Sequence, residues 1–173
     1  MAYSEREQGG HPTGHRQIRD VMTHDPVCCV PADSAQHAAR VMRDKDTGIV
    51  PVINNEQNRK LIGVVTDRDL CVALIADGHD GQAAVEEFMT SRTVSCRPDD
   101  STEMALDLME ENQVRRILVV DGDNRVQGIV SMADLMRRSD VDDEQTHEML
   151  ERISEPTGVS SKPRAAGGVK RVS

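Results

Sequence analysis

Two short segments of the chain decide its fold: GVVTDRD at residues 63–69 and GIVSMAD at residues 128–134. Each consists of a glycine, two apolar residues, a hydroxyl residue, two further residues and an aspartate. A β-branched run followed by Ser/Thr-x-x-Asp is typical of a strand that ends where a helix begins. The chain therefore contains two copies of one strand-to-helix corner, separated by 65 positions.

The repeat extends well upstream of these corners, at an offset of 67 positions. Composition alone would give roughly two coincidences over such a stretch. The sequence instead aligns ten identical pairs, which are Met22/Met89, Thr23/Thr90, Val27/Val94, Cys29/Cys96, Pro31/Pro98, Asp33/Asp100, Ser34/Ser101, Ala38/Ala105, Met42/Met109 and Val52/Val119. The chain is a tandem of two similar units.

Each unit reads as strand, helix, strand, strand, helix. Short extended pieces at 27–30 and 94–96 end at a proline, and a helix follows each of them. Asp33 with Gln36, and Asp100 with Glu103, have capping-box spacing at the helix starts. The central strands are IVPVI at 49–53 with residues 61–65, and ILVV at 117–120 with residues 126–130.

The glycine in the last strand of each unit, Gly63 or Gly128, indicates that another backbone or a ligand approaches closely there. One unit of roughly fifty residues is too small to bury a full core. We therefore predict a mixed α/β (α+β) fold in which two β-α-β-β-α repeats pack about a pseudo-twofold axis, with the sheets at the centre and the helices outside.

The repeat also divides the chain. The predicted segments are a flexible arm at 1–15, a first repeat at 16–76, a linker at 77–82, a second repeat at 83–140, a terminal helix at 141–153 and a disordered tail at 154–173. The Gly, Pro and Ser content of the tail supports its assignment.

Composition excludes several classes of function. The formal charge of −9 repels nucleic acid and anionic lipid, and aromatic residues make up only 1% of the 173 residues, so stacking platforms for bases are missing. Residues 1–16 are polar, no apolar run approaches membrane-spanning length, and the four cysteines do not form a disulfide framework, so we expect neither a secretory leader nor a membrane span. We expect a cytoplasmic protein that binds neither nucleic acid nor membrane.

The corners allow two interpretations. Ser/Thr-x-x-Asp at a helix start satisfies the free N–H groups of the first turn, which is a purely structural role. The same corner could instead hold a nucleotide, because its N–H groups suit phosphate and its carboxylate can accept hydrogen bonds from a ribose diol. Base rates for such patterns favour the capping role for either copy taken alone.

The two corners belong to a larger set of features. These are VMT at 21–23 and FMT at 88–90 before the units, IVPV at 49–52, and VRRILVV at 114–120. Together, at matched offsets, they resemble the tandem CBS module, named after cystathionine β-synthase, over about Arg16 to Arg138. The resemblance implies a pair of CBS repeats (a Bateman module) that regulates rather than catalyses.

The resemblance also implies where an adenosyl ligand such as AMP, ATP, NAD or S-adenosylmethionine would bind. The corner aspartates Asp69 and Asp134 would hold the ribose, and Thr66 and Ser131 would lie near the phosphates. The expected linings of the adenine clefts are main-chain groups near Cys28 and Ser95 and the strands around Ile49, Pro51, Arg116 and Leu118.

Two positions depart from the family pattern. Leu118 stands where the first unit has Pro51, so we expect the strand of the second unit to sit differently. Arg68 has no basic counterpart in the second corner, where Met132 and Ala133 occur, and we expect it to favour phosphate at the first site.

Other chemistry has weaker support. His11, His15 and His24 with Cys28 and Cys29 could form a metal cluster. His11 and His15, however, lie in a polar arm that contains Pro12 and Gly14, where no helix aligns their rings, so no metal site is predicted. The equivalent positions of Cys29 and Cys96 favour semi-buried strand residues over redox sensors. The sequence contains no nucleotide-binding glycine loop, no zinc-protease motif and no nucleophile elbow, so no catalytic residue and no enzymatic activity are predicted.

Two hypotheses for function follow. The first is a regulatory module that binds an adenosyl ligand and acts on an effector protein that the sequence does not identify. The second is an interaction scaffold in which the corner residues only cap helices. A homodimer is expected in both, since the resemblance implies pairing through helices. In addition, there are more apolar residues than one buried helix face requires, namely Leu70, Val72, Leu74 and Ile75.

Overall fold

The computed structural model describes residues 16–138. Its first half contains a 3-10 turn at Ile18–Asp20, β1 (Thr23–His24), α1 (Ala35–Asp44), β2 (Ile49–Ile53), β3 (Leu61–Thr66), α2 (Asp67–Cys71) and a π-helical turn at Val72–Ala76. Its second half contains a 3-10 turn at Val85–Glu87, β4 (Ser95–Cys96), α3 (Thr102–Asn112), β5 (Arg116–Val120), β6 (Val126–Ser131) and α4 (Met132–Arg138). The predicted arm, terminal helix and tail lie outside the described residues.

Each half builds its sheet around an antiparallel hairpin, and the other half completes it. In the second half β6 pairs with β5 on one side and with β1, from the first half, on the other. In the first half Val64 in β3 forms an antiparallel bridge with Thr90, which lies near the start of the second repeat. The segment that leads into each repeat is therefore hydrogen-bonded to the other repeat.

This exchange explains the two strand glycines. A Cβ atom on Gly63 would lie 3.1 Å from the carbonyl oxygen of Thr90, and one on Gly128 would lie 2.9 Å from that of Thr23. A side chain at Gly128 would force the neighbouring backbone to shift, and one at Gly63 would require a smaller adjustment. The close approach predicted from the sequence is confirmed. The approaching groups are the backbone of Thr90 or Thr23 and the side chain of the methionine before it, with Met89 Sδ at 2.9 Å from the Gly63 position and Met22 Sδ at 2.6 Å from that of Gly128.

The core has three parts. One cluster lies between α1, α2 and the first hairpin, and a second lies between α3, α4 and the second hairpin. The third lies between the two hairpins, and its buried members are Ile49, Ile53, Leu61, Val64, Leu118, Val120, Val126 and Ile129. The sheets thus meet at the centre with helices outside, which confirms the predicted fold class.

Both long helices begin one residue later than the capping-box spacing suggested. Ser34 and Ser101 are the N-caps, and each hydroxyl accepts from a backbone N–H three residues on at 3.2 Å. Asp33 instead accepts from the N–H of Val30 at 2.8 Å, closing the turn before the helix. The assignment of Asp33 with Gln36, and of Asp100 with Glu103, as capping boxes was wrong. The serine after each aspartate caps the helix, and the aspartate side chain binds a backbone N–H three residues earlier in the chain.

The expectation that Leu118 displaces its strand was also wrong. Pro51 pairs with Val64 and Leu118 pairs with Ile129, so the two hairpins have equivalent registers. The two residues differ instead in hydrogen bonding. Leu118 has a backbone N–H, which donates to the carbonyl of Val94 at 3.2 Å, whereas Pro51 has none. This bond helps to form β4 in the second half, whereas the equivalent chain in the first half makes only a single bridge, at Cys29.

Candidate functional site

The first corner is formed by Thr66 and Asp69. The Thr66 hydroxyl accepts from the N–H of Asp69 at 3.2 Å, and the Asp69 Oδ2 accepts from the N–H and the hydroxyl of Thr66 at 3.0 and 2.7 Å. The cap acts on α2, which has five residues and continues into the π-helical turn. Both side chains are half-buried.

The second corner repeats this geometry with Ser131 and Asp134. The Ser131 hydroxyl accepts from the N–H of Asp134 at 3.1 Å, and the Asp134 Oδ2 accepts from the N–H and the hydroxyl of Ser131 at 3.2 and 2.5 Å. The predicted capping role is therefore present at both corners. It holds each aspartate in one orientation at the edge of a cleft.

The cleft at the first corner has a volume of about 260 Å³. Its lining residues are Ile49, Val64, Thr66, Asp69, Thr90, Arg92, Thr93, Val94, Val114, Arg116 and Leu118. The corner comes from the first repeat, and the facing wall, residues 90–94 and 114–118, comes from the second. This first cleft is therefore a site between the repeats.

The cleft at the second corner is larger, about 520 Å³, which lies within the usual range for small-molecule sites. It is lined by Thr23, His24, Asp25, Pro26, Val27, Val41, Lys45, Asp46, Thr47, Ile49, Arg116, Ile129, Ser131, Ala133 and Asp134. Here the corner comes from the second repeat and the facing wall from the first. Residues 23–27 and 90–94 form the lead-in segments of the two repeats. Because each of them pairs with the other repeat's sheet, each lies opposite the other repeat's corner.

The two clefts differ in charge. The first has Arg92 and Arg116 against one carboxylate, that of Asp69. The second has Lys45 and Arg116 against the carboxylates of Asp25, Asp46 and Asp134. The repeat places Asp25 and Arg92 at equivalent positions, so one substitution between the units accounts for much of this difference.

Ile49 and Arg116 line both clefts and are also equivalent in the repeat. An aliphatic side chain and a guanidinium group thus occupy related positions where the clefts approach each other. A Cβ atom on Gly48 would lie 2.8 Å from Asp67 Oδ2 and 3.5 Å from Arg116 Nη1. Gly48 therefore leaves the space that the Asp67 carboxylate and the Arg116 guanidinium approach.

The structure brings some of the predicted site residues together and leaves others apart. Thr66, Asp69, Ser131, Asp134, Ile49 and Arg116 line the clefts, and Leu118 lines the first. Cys28, Pro51 and Ser95 do not line either of these clefts, although Val27 and Val94, immediately before Cys28 and Ser95, do. Arg68 is exposed on α2 and also lies outside both linings.

Sequence reasoning missed the charged residues that face each corner, which are Arg92 in the first cleft and Asp25, Lys45 and Asp46 in the second. The repeat offset could have paired Asp25 with Arg92. It could not show which corner each residue faces, because that depends on the strand exchange.

The buried thiols show no sign of activation. Burial raises the pKa of Cys29 to about 12, with smaller contributions from the charges of Asp33 and Cys28. Burial, and then the charge of Asp100, raises the pKa of Cys96 to about 12 as well. Both thiols are protonated at neutral pH, which is typical of structural cysteines.

Comparison with known proteins supports the repeat and the fold. The CBS domain family model matches residues 18–76 and 85–140. The CBS domain-containing protein YhcV of Bacillus subtilis is 38% identical over 118 residues, which is 68% of this chain and 81% of YhcV. The residues matched by the family model contain both corners.

Solved structures show the same architecture. The crystal structure of Hypoxic Response Protein I with two coordinated zinc ions superposes with a TM-score of 0.63 at 32% identity, covering 72% of this chain and 99% of that one. CBSX2 of Arabidopsis thaliana, in complex with AMP, superposes with a TM-score of 0.60 at 28% identity, covering 70% of this chain and 93% of CBSX2.

Two β-α-β-β-α repeats with exchanged lead-in segments and a cleft at each corner define a CBS domain pair. The chain belongs to the CBS domain family. Within residues 16–138, none of the helices combines the length and the apolar character needed to cross a bilayer.

Proposed function

We propose that this protein is a non-catalytic regulatory module that binds an adenine nucleotide or a related adenosyl ligand between its two repeats. The observation that carries the proposal is the position of Asp69 and Asp134. Each is held by its capping box at a corner of one repeat and lines a cleft whose facing wall comes from the other repeat. The AMP complex of CBSX2 supports the ligand class.

The chemistry of the clefts suits such a ligand. A carboxylate can accept two hydrogen bonds from a ribose diol, and charge-assisted hydrogen bonds are about twice as strong as neutral ones. Apolar walls for an adenine ring are available in Val64, Val94 and Leu118 in the first cleft, and in Ile129 and the 40% exposed Val27 in the second. Ligand binding would then hold both repeats in one relative position.

The charge difference predicts different preferences. Two arginines and a single carboxylate favour a ligand with phosphate groups in the first cleft. The three carboxylates of the second cleft disfavour an added phosphate and favour a neutral or zwitterionic adenosyl compound. We expect nucleotides such as AMP or ATP in the first cleft and ligands with less negative charge in the second.

Calorimetric titration of the full chain with adenosine, AMP, ATP, NAD and S-adenosylmethionine tests the proposal, together with the melting temperature at each ligand concentration. A ligand that binds only the folded state raises its stability by RT ln(1 + [L]/Kd). We expect saturable binding of at least one compound and a matching rise in melting temperature. No binding by any of the five would overturn the proposal.

A scaffold without a ligand remains the second candidate, because both capping boxes are complete without one. A homodimer that pairs through helices is part of both candidates. Of the four apolar residues that suggested a docking face, Leu70 is buried, Val72 and Leu74 are half-buried, and Ile75 is 79% exposed. Light scattering should give twice the chain mass of 19.1 kDa, and replacing Ile75 by Glu should reduce that mass.

A further inference from the structure

Three side chains with metal-binding chemistry meet at the start of α1, away from both clefts. The thiol of Cys29, a carboxylate oxygen of Asp33 and a ring nitrogen of His37 all lie within 4.8 Å of one another. None of these residues lines either cleft. Cys29 is fully buried, Asp33 is half-buried and His37 is exposed, so the cluster runs from the core to the surface.

The local fold holds each of the three groups in place. Cys29 is fixed in the sheet because its N–H donates to Pro51 and its carbonyl accepts from Ile53, both at 2.9 Å. Asp33 lies in the turn that follows, where its carbonyl accepts from the N–H of Val85 at 2.8 Å. His37 lies in the first turn of α1, where its N–H donates to the N-cap Ser34 at 3.2 Å.

We propose that Cys29, Asp33 and His37 bind a zinc ion. Thiolate, carboxylate and imidazole are the three ligand types that zinc uses in proteins, with bonds of about 2.0 to 2.3 Å. In a tetrahedral site such bonds place the ligand atoms roughly 3.4 to 3.6 Å apart. The three ligand atoms lie within 4.8 Å of one another, and the exposed His37 side chain is free to rotate and shorten this spacing when the ion binds.

Electrostatics in the cluster favour a cation. A divalent cation between the sulfur and the carboxylate reverses the unfavourable interaction of these two anionic ligands. Binding therefore releases the thiol proton to solvent, as metal coordination by cysteine generally does.

The second repeat provides an internal control. Cys96, Asp100 and Met104 occupy the equivalent positions, and the turn has the same geometry: Asp100 Oδ2 accepts from the N–H of Arg97 at 2.7 Å. The N–H of Met104 donates to Ser101 at 3.2 Å, as that of His37 does to Ser34. Met104 is 50% exposed. The two units thus differ at one ligand, where imidazole replaces a thioether.

The test uses the full chain after treatment with a chelator. Zinc per chain is measured by elemental analysis after incubation with zinc sulfate and buffer exchange, and cobalt(II) is added separately to detect the thiolate-to-cobalt charge-transfer band. We expect one zinc per chain and a clear band for the wild type. We expect loss of both for His37→Met, with an unchanged melting temperature of the metal-free protein.

Two further variants sharpen the result. Met104→Ala should retain the zinc and the cobalt band, whereas Met104→His should bind a second zinc. A wild type that shows no thiolate-to-cobalt band, or a His37→Met variant that keeps it, would overturn the proposal. A single zinc in Met104→His would show that this spacing does not create a site, and would count against the proposed ligand set.

Discussion

Val64 and Thr90 exchange two backbone hydrogen bonds, each N–H donating to the other residue's carbonyl at 2.9 and 2.8 Å. Thr23 occupies the equivalent position beside Ile129 in the other half. The polypeptide thus enters each repeat by way of the other repeat's sheet. A ligand bound at either corner, as proposed above, would contact both repeats and would therefore act directly on their relative position.

The strand glycines provide the first prediction. We expect Gly128→Ala to lower the free energy of unfolding by about 1 to 3 kcal/mol, because a Cβ atom would meet the carbonyl of Thr23 and displace the exchanged strand. Gly63→Ala should have a smaller effect, since the contact with Thr90 is longer, 3.1 Å against 2.9 Å. Urea unfolding monitored by circular dichroism measures both.

Gly122→Ala is the matched control, because a Cβ atom there meets nothing within 4 Å. It should leave the urea midpoint nearly unchanged. A Gly128→Ala variant as stable as this control would contradict the role given to the exchange.

Local residue patterns were enough to predict the fold and the corners. The repeat offset placed Thr66, Asp69, Ser131 and Asp134, and small unit size required the two halves to pack together. The facing walls of the clefts could not be predicted in this way. The positions of Arg92 and Asp25 depend on which sheet each lead-in segment joins, and this is decided by long-range backbone pairing.

Two other features were missed for related reasons. Asp33 and Ser34 are both good cap residues, and only the tertiary structure shows which of them caps the helix. The Cys29, Asp33 and His37 cluster spans a strand, a turn and a helix. The three residues are four positions apart, which would indicate one face of a helix, but only His37 lies in a helix. The sequence therefore does not show that the other two meet it.

The buried thiols give a prediction on pH. In the folded chain Cys29 and Cys96 have pKa values of about 12, against an ordinary value of 9.0, which we take for the unfolded chain. Because the folded state holds these protons more tightly, the stabilising effect is complete below about pH 9 and is lost as the pH rises towards about 12. The free energy of unfolding should therefore fall over this range.

Urea unfolding with a chelator present, at about pH 8 and about pH 10, measures this slope. The Cys96→Ala variant should show a shallower fall than the wild type, whereas Cys71→Ala, which removes an exposed thiol, should not. If the free energy of unfolding falls equally with pH in all three proteins, the raised pKa of Cys96 is refuted.

The corner aspartates give the sharpest test of ligand binding. Asp69→Ala should weaken nucleotide binding at the first cleft roughly tenfold or more, because it removes charge-assisted hydrogen bonds worth about 1.5 to 3 kcal/mol. Asp134→Ala should do the same at the second cleft only. Calorimetric titration of each variant separates the two sites.

Both substitutions also break a helix cap, so the control must break one elsewhere. Ser101→Ala removes the N-cap of α3, away from both clefts, and should reduce stability by about 1 kcal/mol without changing affinity. If Asp69→Ala and Ser101→Ala reduce stability alike and neither changes nucleotide affinity, the corner residues act only as caps.

The last prediction concerns phosphate recognition in the first cleft. Arg92 lies on the cleft lining opposite Asp69, whereas Arg68, which the sequence singled out for the same role, lies outside the lining. Arg92→Ala should therefore weaken ATP binding several-fold more than adenosine binding, since a charged hydrogen bond contributes about 1.5 to 3 kcal/mol. Arg68→Ala removes the same charge from an exposed position and should have the smaller effect. Calorimetry with adenosine, AMP and ATP, each measured in an Asp134→Ala background to silence the second cleft, gives the comparison. Equal losses for adenosine and ATP in Arg92→Ala would refute a role in phosphate binding, and a larger ATP-specific loss in Arg68→Ala would assign that role to Arg68 instead.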